Sequence, residues 1–263
     1  MYKYGGCMKK ILGIMVALLI ISQTLSALEM TELIDCPTAG ILQKGEVKFP
    51  IGIFDKGGVS FGAGVGLLPK LMFGIQYGGE YIIGDSIPEW NSYPGVFVKH
   101  RIFDESPKLP AIAIGFDSRG FGTYTDSLSN GTEINRFAIK SKGFYAVTSR
   151  NFHFLGNLGL HGGINYSTEW DDNDDNLNFF IGLDKSINQH ITLLVEYDFA
   201  FNDNGKSGDQ ETYSFGEGNG YLNAALLLNI AQNIRIQINF RDFLDNQYIN
   251  PDRSISIGYF AQL

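Results

Sequence analysis

Three groups of residues in this 263-residue chain have the types from which a site could be built. The run Asp171-Asp172-Asn173-Asp174-Asp175 offers oxygen ligands of the kind Ca²⁺ takes. It lacks a following glycine and bidentate acid at loop spacing, so a solvated acidic turn is the simpler reading. His100, His153, His161 and His190 fall on separate predicted strands or turns without metal-ligand spacing, and each reads as a satisfied polar residue. The third group is charged: Lys48, Lys99, Arg101, Arg119, Arg150, Arg235 and Arg241, with Glu46, Glu80, Asp117, Asp184, Glu196 and Asp198, all read on the register opposite the apolar one. Such near-balanced charge on one face would form ion pairs bracing a wall. The sharper alternative is a hydrated path whose rings of charge select a solute.

The elements that position these charges show in the pattern around them. Ile234, Ile236, Ile238 and Phe240 alternate with Arg235, Gln237, Asn239 and Arg241, and Ile191-Leu193-Val195-Tyr197-Phe199-Phe201 keeps the same period of two. This dyad marks β-strands with one oily face. It predicts twelve strands at 45–54, 58–67, 70–80, 95–103, 110–119, 142–151, 155–166, 176–186, 189–202, 219–231, 233–242 and 253–263. A soluble sandwich would alternate too, but the connections sort by parity. The odd ones, 81–94, 120–141, 167–175, 203–218 and 243–252, are long and polar, except the tight first turn Asp55-Lys56-Gly57-Gly58. The even ones hold seven residues or fewer. Long loops at one end and short turns at the other predict an all-β fold, a transmembrane antiparallel β-barrel of about twelve strands with both termini periplasmic.

The ends of the chain agree. Lys9-Lys10, the apolar run Ile11–Ile21 and the small-residue exit to Ala27 form a secretory signal peptide over 1–27, too short in its apolar run to span a bilayer. Its removal takes away Lys3, Lys9 and Lys10 and no acid, so the net charge moves from -8 to -11. An acidic chain without a basic patch excludes a nucleic-acid binder. Residues 28–44 are predicted to be a periplasmic N-terminal segment and 45–263 the barrel. The last strand is amphipathic to Leu263, as a substrate of barrel-assembly machinery should be, and its oily face predicts outer-membrane lipid as partner.

On the lumen register, Ser60, Gly62, Gly64, Gly66, Gly74 and Gly78 are small. Wall curvature is the simpler reading of these glycines. The alternative is that a long loop or the segment 28–44 folds against them and occludes the pore. No nucleophile elbow, phosphate-binding loop or Cys-x-x-Cys pair is expected, no cofactor is implied, and His161 points inward, away from where a barrel lipid hydrolase needs it.

Several stretches resemble the YjbH family of outer-membrane barrels: Leu33-Ile34-Asp35-Cys36-Pro37-Thr38-Ala39 followed by Gly45-Glu46, Leu109-Pro110-Ala111-Ile112-Ala113-Ile114-Gly115 followed by Gly120, and Tyr145-Ala146-Val147-Thr148-Ser149-Arg150. Gly40 stands where that family usually carries Arg, and the family's chains are longer. The resemblance implies a non-enzymatic role in exopolysaccharide secretion or envelope organisation, with polysaccharide or secretion components as partners. The charge pattern alone equally admits a general small-solute channel.

Overall fold

A computed structural model describes residues 29–204, 213–248 and 250–263; the expected signal peptide lies outside the described residues. The chain forms β1 (Glu46–Phe54), β2 (Gly58–Leu68), β3 (Leu71–Glu80), β4 (Glu89–Trp90), β5 (Gly95–Phe103), β6 (Ala111–Asp117), β7 (Phe121–Ser127), β8 (Glu133–Ile139), β9 (Gly143–His153), β10 (Asn157–Tyr166), β11 (Asn178–Ser186), β12 (Ile191–Asp198), β13 (Tyr221–Ala231), β14 (Ile234–Arg241) and β15 (Asp252–Gln262). Twelve of these close a barrel of antiparallel neighbours, in which β3 pairs with β5 and β6 with β9. The seam is β1 against β15, with Phe49 opposite Tyr259 and Ile51 opposite Ile257. Closure leaves no unsatisfied edge in lipid.

The alternation explains the wall. Phe49, Ile51, Phe61, Ile75, Leu160, Ile181 and Leu193 stand exposed on the outside. The inward positions between them carry Lys48, Lys99, Glu196, Asn223 and Asn239, most of them buried. An apolar exterior around a polar interior is what a barrel needs in a bilayer.

The connection 118–142 is more than a loop. It holds the separate hairpin β7–β8, whose register slips between Phe121 and Tyr124 and again between Thr125 and Ser127. Those bulges break the period of two and hide the strands from a reading by alternation. The hairpin lies at the end of the barrel that carries the long loops, with Ile134, Phe137 and Ala138 buried.

Candidate functional site

Inside the barrel lies the chain's own N-terminal segment. Residues 31–38 fold into a small hairpin: Leu33 N–H donates to the Cys36 carbonyl at 2.9 Å, and Thr38 N–H to the Thr31 carbonyl at 3.2 Å. The hairpin rises from the short-turn end, and the chain returns along 39–44 to an isolated parallel bridge between Lys44 and Gly66. Its apolar side chains fill hollows of the inner wall. Leu33 and Ile34 pack with Leu194, Ala225 and Leu227; Cys36 and Ala39 with Ala111, Ala113, Tyr145, Val147 and Phe180; Ile41 and Leu42 with Met72, Phe97 and Phe260.

The glycines of the wall make this possible. A Cβ on Gly66 would lie 1.9 Å from the Gln43 carbonyl oxygen, and one on Gly74 would strike the Phe97 ring at 2.1 Å. The small patch thus accommodates the returning limb and the ring it packs on, the second of the two expectations.

Charge fixes the plug in place. The Glu196 carboxylate, almost fully buried, accepts N–H bonds from Ile34, Asp35 and Cys36 at 3.0, 2.9 and 3.0 Å. Lys99 does the converse, donating to the carbonyls of Thr31, Thr38 and Gly40. Each ion therefore has several partners of opposite polarity, which is what a buried charge requires. Three plug carboxylates meet wall cations. Glu29 meets Arg101 at 2.5 Å, Glu32 meets Arg119 at 2.7 Å and Lys48 more closely, and Asp35 takes a two-pronged bond from Arg241 at 2.8 and 2.9 Å. Burial alone would raise the Glu32 carboxyl, but Arg119 and Lys48 outweigh it and hold it well below the usual carboxylate range.

The other expected lumen charges take supporting places. Asp117 braces Arg119 at 2.6 Å. Asp184 accepts from His161 Nε2 at 2.8 Å, His161 Nδ1 meets the Ser149 hydroxyl at 2.8 Å, and Ser149 Oγ accepts the Ala39 N–H at 2.8 Å. This Ser-His-Asp row holds the plug. The serine oxygen is covered by Ala39, and the imidazole presents Nδ1, not Nε2, to it. Asp198 pairs with Lys142 and accepts from Asn178 at 2.6 Å, while Glu80 at the rim takes Thr123 and Lys56. Arg235 lies inside over the Phe260 ring, 5.0 Å from its centre.

Arg150 is a correction. It stands on the outer face, opposite the exposed Leu160, donating to the Pro107 carbonyl near the short-turn end. In β9 the apolar residues point both ways, Tyr145 and Val147 inward and Phe144 outward, so the dyad does not fix the register there.

A second cluster, not expected from the sequence, closes the long-loop end. Arg136 of β8 is fully buried and bonds Asp172 at 2.6 Å and Asp203 at 2.9 Å. Lys140 adds a 2.7 Å contact to Asp172, and Tyr221 donates its hydroxyl to Asp203 at 2.7 Å. Arg136 also sits over the Phe215 ring. In the acidic run 171–175, Asp172 is thus paired with cations of the chain and Asp172 and Asp174 are buried, while Asp171, Asn173 and Asp175 are solvated as expected. No group of three metal-ligating side chains occurs among the described residues. Another sequence string resolves here too. Gly58-Val59-Ser60-Phe61-Gly62 has the letters of a nucleophile elbow but lies within β2, and Ser60 accepts from Gln76 at 3.0 Å.

Between plug and wall remains a cavity of about 220 Å³, bordered by Glu29, Glu32, Asp35, Lys48, Arg119 and Arg241 among others. The fold and this interior define the class: a closed twelve-stranded outer-membrane-type β-barrel with an internal plug. No family model and no curated protein matches the chain. Among solved structures it is similar to a KdgM porin, at a TM-score of 0.50 and 10% identity, over 81% of this chain and 98% of that one. A KdgM porin in complex with disordered oligogalacturonate gives 0.49 and 10%, covering 81% and 98%. The NanC porin gives 0.41 and 9%, covering 82% and 99%. At such identities the likeness is one of fold.

Proposed function

We propose that the chain is exported through the signal peptide 1–27 and works in an outer membrane as a porin-like, non-enzymatic conduit for a small polar solute. The plug keeps the conduit closed at rest. The observation that carries this reading is the way the plug is seated. Besides its apolar contacts it is fixed by ion pairs and hydrogen bonds beside a cavity of about 220 Å³, and a polar solute can exchange those polar fixings. The likeness in fold to porins supports it.

The test is single-channel conductance of the mature chain 28–263 in planar bilayers, alongside E196Q, which loosens the plug. The reading expects a mostly silent wild type and long openings in the variant. A variant that is silent although folded, as shown by heat-modifiable gel mobility, overturns it.

One observation favours a second reading, a role in exopolysaccharide secretion or envelope organisation. The three stretches that resemble the YjbH family meet in space: Cys36 and Ala39, Ala111 and Ala113, and Tyr145 and Val147 form one packed cluster. Altered surface polymer on deletion, with a barrel that conducts under no condition, would support that reading over the first.

A further inference from the structure

Glu29, Glu32 and Asp35 stand three residues apart along the plug, and each is met by a different wall cation. Those cations do not depend on the plug for their position. Arg101 also lies 3.0 Å from Asp104, Arg119 is held by Asp117 at 2.6 Å, and Arg241 donates to the Ser254 hydroxyl at 2.6 Å and stacks on the Phe121 ring. The wall therefore offers a preset set of cation sites, each with a partner on the wall and each completed by a carboxylate of the plug. Preset donors of this kind bind without reordering cost. Between the ion pairs, Glu196 takes donors and Lys99 gives to acceptors, so the wall also satisfies the polar groups that link successive acids.

We infer that the plug occupies the place of the barrel's ligand, and that this ligand is an oligomeric carboxylate. Its successive acid groups take the positions of Glu29, Glu32 and Asp35 against Arg101, the Lys48–Arg119 pair and Arg241. The plug is then an internal competitor, displaced by the molecule it imitates. The remaining cavity borders the same pairs, which gives the ligand a first foothold beside the seated plug. This inference rests on the conduit reading and names its solute class. The linking chemistry, peptide or sugar, is the arm the experiment separates.

The experiment measures equilibrium binding to the mature chain in detergent, without a membrane, using hexaglutamate and hexagalacturonate as probes and maltohexaose as the uncharged control. The variant E29Q/E32Q/D35N removes the competing charges and leaves the wall intact. It should bind at least one of the two acidic probes at least about tenfold more tightly than the wild type, the gain expected from freeing one or more charge-assisted contacts. R241Q and K48Q added to that variant should each reverse part of the gain. Binding of one probe alone identifies the linkage. Should the triple variant not fold, E32Q alone carries the test, because Arg119 keeps Asp117. Equal binding by variant and wild type, or equal binding of maltohexaose, overturns the inference. Conductance of the same variant in plain KCl is read separately: binding without conductance sinks the conduit and leaves the ligand, and conductance without binding does the reverse.

Discussion

The Glu196 carboxylate accepts the N–H of Ile34 across 162 positions of sequence at 3.0 Å, and the same two oxygens take the next two amides of the plug. One side chain on β12 thus holds the turn of the hairpin by its backbone.

Glu196→Gln is therefore expected to unseat the plug tip. An amide nitrogen would face donors, and bonds to a charged acceptor are worth about 1.5–3 kcal/mol each. Cys36 reports the change, since it is the only cysteine outside residues 1–27. Its thiol is buried, and burial together with the Glu196 charge pushes its pKa up. Maleimide labelling of Cys36 should rise at least about tenfold in the variant; an unchanged rate would contradict the anchoring role.

Mild acid should not break the Glu32 ion pairs. Glu32 has its pKa lowered in the fold, so its contribution is present above the ordinary value of 4.5 and is lost only as the pH falls through the lowered one. The Glu32 side-chain carboxyl carbon, followed by NMR in the folded protein, should keep its carboxylate shift from pH 8 to 5. Protonation of Glu32 near pH 6 would count against its pairs with Arg119 and Lys48.

Arg136→Met should open the cap. It leaves Asp172 and Asp203 buried with one cation fewer, and breaking such a pair costs about 3–5 kcal/mol. The expected result is lost amide protection over 121–142 while the β9–β15 strands keep theirs. Uniform loss over the barrel would show that the cap and the wall are one cooperative unit.

Two glycine substitutions should differ. Gly66→Ala drives a methyl into the Gln43 carbonyl, whereas the nearest atoms to a Cβ on Gly162 are 3.7 Å away. The first should raise Cys36 labelling or lower stability, the second should do neither. Equal behaviour would separate the glycine patch from the plug.

Ile181→Arg places a charge on the outer face of β11, where Ile181 is 53% exposed. Near the bilayer midplane this costs about 2–4 kcal/mol. Folding into lipid vesicles, followed by gel mobility under urea, should shift accordingly; the same stability as wild type would argue that this face does not meet lipid.

The twelve wall strands were legible because lipid demands one continuous oily face, and residues such as Ile234, Ile236 and Ile238 meet that demand without exception. The plug was legible only as an alternative, from the glycines of β2 and β3, because a hairpin enclosed by a wall buries Leu33, Ile34, Ile41 and Leu42 in different directions and leaves no period to read. Its carboxylates and their wall cations are far apart in sequence, Asp35 and Arg241 by 206 positions, and no spacing rule connects them. Arg136 was hidden for the same reason, its partners Asp172 and Asp203 arriving from two other loops. Lys99, Glu196 and Arg241 lie on the buried face opposite the oily one, whereas Arg150 lies on the outer face, because β9 has apolar residues on both faces.

The plug enters and leaves the barrel through the same mouth, since its hairpin turns at Leu33–Cys36 and both limbs point to the short-turn end. It can be drawn out without threading a chain end through the pore. A pull on the limb before Glu29 would load the Arg101 contact first and the Asp35–Arg241 contact last, so the fixings yield one after another, as a zip does, instead of all together. Many individually firm bonds then add up to a modest extraction force, directed along the barrel axis towards the short-turn end.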